Sequence, residues 1–144
     1  MIKLLTMLAV LASVQGSTTP PRITPGEPRQ IAEDAMKLVA AEDIKGLFAF
    51  IATHMPMDRE ALDKIRDSSI EQRKKLPPVL GKSLGTAFIR ECRLTDYLVR
   101  LLYVEKRERN VIRWQFIFYK ARATWTISSF IWDDNVNSLF APCD

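Results

Sequence analysis

The stretch Trp114-Gln115-Phe116-Ile117-Phe118-Tyr119 places an aromatic residue at every second position. Side chains of a β-strand point alternately to the two faces of the sheet, so this stretch predicts a strand with one face in a core. Comparable alternation on either side of it, with short turn-like breaks, predicts four antiparallel strands joined by hairpins. We expect these strands at 84–94, 97–105, 111–120 and 124–132.

Three helices are expected before the strands. Apolar residues recur at helical spacing from Arg29, and then again after Asp43 and after Asp58. Aspartate is a favoured N-cap, so these two residues are expected to begin the second and third helices. Pro77-Pro78 is expected to end the third helix. Helices followed by strands indicate an α+β domain, with three N-terminal helices packed on a four-stranded antiparallel sheet.

The N-terminus has the pattern of a secretory signal peptide. Lys3 precedes an apolar stretch from Leu4 to Val14, and Val14 and Gly16 stand at the −3 and −1 positions before Ser17. This apolar stretch is about half of the ~20 residues that a membrane-spanning helix needs, so no membrane span is expected. We therefore expect a signal peptide over 1–16, a flexible proline-rich leader over 17–28 and a single domain over 29–144 of an exported protein.

The charge is mild. The formal net charge is +4, and basic residues alternate with acidic ones. The densest basic cluster is Lys106-Arg107-Glu108-Arg109, which we interpret as a solvated hairpin loop rather than a nucleic-acid patch. No nucleic-acid partner is expected.

The parity of the strand residues predicts which side chains face the helices. The inward set is Tyr97, Val99, Leu101, Tyr103, Ile112, Trp114, Phe116, Phe118, Trp125, Ile127 and Ile131. The opposite parity is also unusually apolar, with Leu98, Leu102, Val104, Ile117, Phe130 and Trp132. Because an exposed apolar sheet face often marks a partner surface, we consider a homodimer that forms through the outer sheet face.

Cys92 and Cys143 are the only cysteines. An oxidising compartment permits a disulfide between them, which would tie the C-terminal tail to the first strand. In the chain-entropy model such a bond would stabilise the fold by about 4 kcal/mol. The sequence leaves open whether the two Cα atoms come close enough.

Aromatic residues give the one positive signal for a ligand. Tyr103, Trp114, Phe116, Phe118 and Trp125 could line a cavity for a small hydrophobic molecule. The same spacing also fits a filled core, because aromatic residues at strand spacing usually pack on helices.

Motifs for catalysis or metal binding do not emerge. His54 is the only histidine, and it precedes Met55-Pro56 in an expected loop, which is a poor position for a pocket base. No acidic residue is expected on the apolar parity of strands two to four, unless a bulge turns Asp133 inward. The numbers of His and Cys exclude a metal site built from these residues. We expect no catalytic residue, no metal site and no cofactor.

The segment Leu38-Val39-Ala40-Ala41-Glu42-Asp43-Ile44-Lys45-Gly46-Leu47-Phe48 resembles the helix–break–helix opening of the nuclear-transport-factor-2-like superfamily, also called cystatin-like or SnoaL-like. Leu80-Gly81 and Trp125-Thr126-Ile127 are similar to segments of its small exported members of uncharacterised function. The resemblance covers 29–132. It implies a strongly curved sheet that wraps a long helix into a cone with an internal pocket, and it favours the periplasm over the extracellular medium.

Members of this superfamily include dehydratases, isomerases, cyclases and binding proteins, so the fold does not select a function. The lack of convergent polar groups favours a non-enzymatic exported binding or interaction module with a pocket for a small hydrophobic ligand. The alternative is a small lyase or isomerase. That alternative requires a carboxyl group of raised pKa and a tyrosine that meet inside the cone.

Overall fold

The computed structural model describes residues 24–143, so the expected signal peptide and most of the expected leader lie outside the described residues. The helices α1 (Pro28–Ala40), α2 (Ile44–Ala52), α3 (Arg59–Arg73) and the short α4 (Leu76–Leu80) come first. The strands β1 (Ser83–Thr95), β2 (Leu98–Arg107), β3 (Val111–Lys120) and β4 (Trp125–Asp133) form one open antiparallel sheet in the order β1-β2-β3-β4, followed by the 3-10 helix η1 (Val136–Phe140). This confirms the α+β class and the placement of the helices before the sheet.

The beginnings of α2 and α3 follow the predicted caps. The carboxylates of Asp43 and Asp58 each accept a hydrogen bond from the backbone N–H three residues later, at 2.8 and 3.0 Å. The prediction that Pro77-Pro78 ends the third helix was wrong, because α3 ends at Arg73 and both prolines lie inside α4. Proline is tolerated there because the N–H groups of a first helical turn have no partner within the helix. Within the described residues, no helix is both long and apolar enough to cross a membrane.

The core lies between the helices and the inner sheet face. The prediction for β3 is confirmed, since Ile112, Trp114, Phe116 and Phe118 are each at most 1% exposed. Helix α1 lies across β1 and β2, and the other helices complete the layer. Tyr97 was predicted to face the helices, and this was wrong: it lies in the β1–β2 turn and is half-exposed.

A bulge interrupts β4. Phe118 pairs with Ile127, but the neighbouring Ile117 pairs with Ser129, so Ser128 is an extra residue in the ladder. One extra residue shifts the parity of every later side chain in the strand to the opposite face. The faces predicted for the second half of β4 are therefore reversed.

The reversal is visible in three side chains. Phe130 and Trp132 were predicted on the outer face, but both pack against the core. The Phe130 ring lies edge-on to Phe48 of α2, with 5.6 Å between ring centroids, and the Trp132 indole N–H donates to the Ser69 hydroxyl of α3 at 3.3 Å. Ile131 was predicted inside, and it is exposed on the outer face.

Residues 134–143, which we call the C-terminal strap, cross from β4 to β1 on the outer face. Helix η1 lies against β3, and the Arg90 guanidinium of β1 donates to the Leu139 carbonyl at 2.8 Å. The strap ends at a disulfide between Cys143 and Cys92 of β1, whose Cα atoms are 5.4 Å apart. The fold thus covers part of its outer sheet face with its own chain.

Two outer residues show the effect of this cover. Leu102 and Val104 of β2 lie on the parity opposite to the core cluster, yet they are only 2% and 7% exposed. Leu102 stands between Arg90 and Gln115 in the sheet register, where the strap contacts both neighbouring strands. Much of the apolar outer face predicted from the sequence is therefore internal.

Candidate functional site

The five aromatic residues predicted to line a ligand pocket lie together in the core. None is more than 4% exposed, and none lines any of the four surface cavities described below. The rings of four of them, Tyr103, Trp114, Phe116 and Phe118, contact one another, with centroid distances of 6.3 Å along β3 and across to β2. They fill the space between sheet and helices. The five residues are Tyr103, Trp114, Phe116, Phe118 and Trp125.

Tyr103 carries the polar group at the rim of this aromatic set. Its hydroxyl donates to the Glu33 carboxylate of α1 at 3.2 Å. Burial raises the pKa of the Tyr103 phenol, and the negative charge of Glu33 raises it further. Tyr103 is therefore a neutral hydrogen-bond donor whose partner is a helix side chain.

Next to the aromatic set lies a buried ion cluster formed by Arg73, Glu105 and Arg107. The Glu105 carboxylate is fully buried and accepts two hydrogen bonds from Arg73, both at 2.9 Å. It also accepts from Arg107 Nε at 3.0 Å and from the Trp114 indole at 3.3 Å. The cluster thus joins α3, β2 and β3 through one carboxylate.

The charge state of Glu105 follows from these contacts. Burial alone raises the pKa of its carboxyl group. The hydrogen bonds and charge of Arg73, together with the charge of Arg107 and the Trp114 hydrogen bond, lower the pKa by more than burial raises it. The pKa of Glu105 is therefore below its ordinary value, and the group is an anion at neutral pH.

The buried ion cluster corrects two expectations. Glu105 shares the parity of Tyr103, so the statement that no acidic residue lies on the apolar parity was wrong. Arg107 was assigned to a solvated hairpin loop, but it belongs to β2 and is 5% exposed. The signal was present in the sequence, because the two residues continue the inward parity of β2 with opposite charges.

A cavity of about 380 Å³ opens beside this cluster, between the α1–α2 link and α3. Arg107 on its floor donates to the Gly81 carbonyl at 2.8 Å and to the Glu42 carboxylate at 3.0 Å. Its guanidinium is thus already bonded inside the protein. Two further cavities lie between α2 and α3 and between α3 and β4.

The fourth cavity, which we call the outer groove, lies on the outer sheet face at the end of the C-terminal strap. Its volume is about 320 Å³, and its lining is the most apolar of the four. The disulfide forms one side of it. The lining residues are Cys92, Arg93, Leu94, Leu98, Val99, Arg100, Ile117 and Cys143.

Arg100 is the polar feature of the outer groove. Its Nη2 donates only to the Cys92 sulfur at 3.6 Å, and its buried Nε has no partner in the described part of the chain. Among residues 24–143 it forms no ion pair with a carboxylate. A partly buried guanidinium that lacks an acceptor for one of its N–H groups is unfavourable, and native proteins usually supply one.

Arg93 also belongs to the lining, but it stands opposite Val99, a core residue, and so has the parity of the inner face. It pairs with Glu91 of the same strand at 2.9 Å, and the pair is substantially exposed. Exposed pairs of this kind are weak and screened by salt. The Arg93 guanidinium lies 5.9 Å from the centroid of the buried Trp125 ring, so its charge is on the helix side of the sheet and not in the outer groove.

His54 and the candidate metal ligands are the remaining groups considered from the sequence. His54 follows α2, where its ring stacks near Phe50 and its Nδ1 lies 2.8 Å from the Thr53 hydroxyl, and it lines none of the four cavities. In the described ranges no group of three or more His, Cys, Asp or Glu side chains could hold a metal ion.

No protein-family model matches the chain, and neither a curated protein nor a solved structure matches it. What the outer groove can bind is therefore inferred from its own chemistry.

Proposed function

We propose that this protein is a non-enzymatic binding module that takes a small hydrophobic ligand in the outer groove. The observation that carries the proposal is the combination of apolar walls, Leu98 and Ile117 among them, with the Arg100 guanidinium, which has no carboxylate partner among residues 24–143 and bonds there only to the Cys92 sulfur. Ligand sites are typically apolar clefts with a few placed polar groups. The groove has this composition, whereas the five core aromatic residues line none of the four cavities described above.

We further propose that the chain is a nuclear-transport-factor-2-like protein with a curved, cone-like sheet. The support is the order of elements, in which a helix–break–helix opening precedes an antiparallel meander. We propose export, to the periplasm rather than the medium. The N-terminal pattern supports export, and so does the Cys92–Cys143 disulfide, because disulfides persist in oxidising compartments.

The alternative function, a small lyase or isomerase, would use Glu105 and Tyr103 on the same face of β2. Both side chains are buried, and the bonds to Arg73, Arg107 and Trp114 favour the Glu105 anion. A measured pKa of Glu105 below its ordinary value would support the binding module. A value near neutral would support the enzyme, because a general acid needs a raised pKa.

Self-association through the outer sheet face is the second candidate. The exposed Phe140 of the strap favours it, since its side chain has no cover in the described structure and could enter a second copy. The strap itself reduces the apolar area available. Sedimentation of the wild type and of Phe140→Glu at the same concentration tests this: a dimer that dissociates in the variant would support self-association.

Native mass spectrometry tests the binding module. The protein is purified without reductant from the compartment in which it accumulates, as wild type, Ile117→Asp and Ile131→Asp. We expect an adduct on the order of a few hundred daltons in the wild type, because pockets of this size hold small molecules. Ile117→Asp should lose it, because Ile117 lines the groove.

Ile131→Asp is the matched control, an exposed apolar residue of the same sheet face that lines a different cavity. It should keep the adduct. An adduct that persists in Ile117→Asp would show that the ligand binds elsewhere.

A further inference from the structure

We infer that the outer groove recognises the carboxylate of a small aliphatic acid, and that Arg100 is the residue that binds it. The inference rests on the proposed function and adds the head group of the ligand.

The charge on this part of the outer face is positive and poorly compensated. Arg90 lies two residues before Cys92 on β1, and Arg100 stands opposite Cys92 on β2. Both have a buried Nε without a partner in the described part of the chain. Arg90 donates to the Leu139 carbonyl, and Arg100 donates only to a sulfur, so neither meets a carboxylate among residues 24–143. This arrangement favours an anionic ligand group over a cationic or neutral one.

The register places the apolar walls on one side of this charge. Arg100 pairs with Ile117 of β3, and Leu98 lies two residues earlier on the same face of β2. Leu94 of β1 completes the apolar side and is two-thirds exposed. A ligand with its head group at Arg100 can therefore lay an apolar chain over these three side chains.

The guanidinium suits a carboxylate in particular. Its planar fork of N–H donors matches the two oxygens of a carboxylate, and such charge-assisted hydrogen bonds are stronger than neutral ones. A bound carboxylate would also give the Arg100 guanidinium, which bonds only to the Cys92 sulfur among residues 24–143, a charged acceptor.

The volume limits the length of the chain. At about 320 Å³ the groove is at the lower end of the range for ligand pockets. It fits a short or medium aliphatic acid, and it is too small to enclose a long-chain lipid. Octanoate and octanol are suitable probes, because they share the apolar chain and differ in the head group.

Isothermal titration of the disulfide-intact protein with octanoate and with octanol tests the inference. We expect octanoate to bind about tenfold more tightly, because a hydrogen-bonded charge pair is worth on the order of one factor of ten or more. In Arg100→Gln the two probes should bind equally. Lys106→Gln is the matched control, since Lys106 is an exposed cation on the same strand at the end far from the groove. It should retain the tenfold preference.

The outcomes separate the two proposals. Equal binding of octanoate and octanol to the wild type would overturn the carboxylate inference and leave the hydrophobic groove in place. Binding of neither probe would overturn both. A preference for octanoate that survives in Arg100→Gln would assign the head group to another residue and overturn the role of Arg100. Arg100→Lys, which keeps the charge but not the fork, should show an intermediate preference, and full retention in that variant would contradict bidentate recognition.

Asp144 follows Cys143 in the sequence and carries a carboxylate of its own. The same titration with Asp144→Asn removes this potential competitor. We expect octanoate to bind equally well or more tightly. Weaker binding would contradict an anion-selective groove.

Discussion

The arginines on the two faces of the sheet differ. Arg73 and Arg107 on the inner face are buried and paired with a carboxylate, whereas Arg90 and Arg100 on the outer face are partly buried and have no carboxylate partner among residues 24–143. On the inner face, Arg73 and Arg107 surround Glu105 with hydrogen bonds of 2.9 to 3.0 Å. On the outer face, Arg90 and Arg100 each keep a buried Nε without a partner in the described residues. A guanidinium satisfied inside the protein has a structural role. Arg100, whose guanidinium bonds only to the Cys92 sulfur among residues 24–143, is available for a ligand.

The apolar side chains differ in the same way. The inner face is filled by aromatic rings such as Trp114 and Phe116, both fully buried. The outer face is covered by a strap, and the groove lies where that strap ends at Cys143. This comparison explains why a ligand site predicted among the core aromatic residues is better sought on the other side of the sheet.

Removal of the Glu105 carboxylate from the inner face should reduce the stability of the fold most. Glu105→Ala leaves two guanidiniums buried without their charge partner, which should lower the free energy of unfolding by about 3–5 kcal/mol. Urea unfolding followed by circular dichroism measures it. Glu60→Ala is the control, because Glu60 pairs with Lys64 in full exposure and should cost less than about 0.5 kcal/mol. A loss below about 1 kcal/mol in Glu105→Ala would contradict the structural role assigned to the inner arginines and Glu105.

The disulfide should rank second. Cys143→Ser releases the end of the strap from β1, and loss of a bond that closes a loop of this length should destabilise the protein by about 2–4 kcal/mol. The free energy of unfolding is measured for the variant and for the wild type with and without reductant. The reduced wild type should match the variant. Equal free energies of unfolding in all three samples would show that tying the strap to β1 does not stabilise the fold.

The pH dependence of stability isolates Glu105. Its pKa in the folded protein is below the unfolded-state value near 4.5, so its contribution is fully present above that pH and is lost as the pH falls through the folded pKa. The stability difference between the wild type and Glu105→Gln should be constant near neutral pH and should shrink below about pH 4. A difference that grows on acidification would mean that the pKa is raised instead, which is what the enzyme alternative requires.

Substitution of the outer Arg100 should change stability least. Arg100→Gln should change the free energy of unfolding by no more than about 0.5 kcal/mol, because no carboxylate among the described residues depends on Arg100. Arg73→Gln is the matched inner variant, and it should cost several times more because it removes two bonds to a buried anion. Equal losses in the two variants would remove the distinction between the faces.

Local patterns in the sequence were enough for most of the fold. The alternation of Trp114, Phe116 and Phe118 identified β3 and its inward face, and Asp43 and Asp58 identified the beginnings of two helices. These features depend on neighbours in the chain. The bulge at Ser128 was not visible, because an extra residue between Ile127 and Ser129 breaks the ladder without breaking the strand composition.

The candidate site was harder to predict. Glu105 and Arg107 follow the inward parity of β2. Charged residues are almost never fully buried unless they are paired, so their burial could be predicted only together with a partner. That partner, Arg73, lies on a helix far away in the sequence. The outer groove depends on the path of the strap, which is fixed by the disulfide from Cys143 to Cys92. Such long-range contacts leave no periodic signal in the sequence.

Methyl-resolved NMR of the disulfide-intact protein during an octanoate titration distinguishes a ligand in the outer groove from one in the core. Leucine and isoleucine methyl groups report on both faces of the sheet at once. We expect saturable chemical-shift changes for Leu94, Leu98 and Ile117 in the outer groove, with the core methyl groups of Leu47 and Ile51 unchanged. Chemical-shift changes confined to the core residues, with the groove residues unchanged, would place the ligand inside the fold and contradict binding in the outer groove.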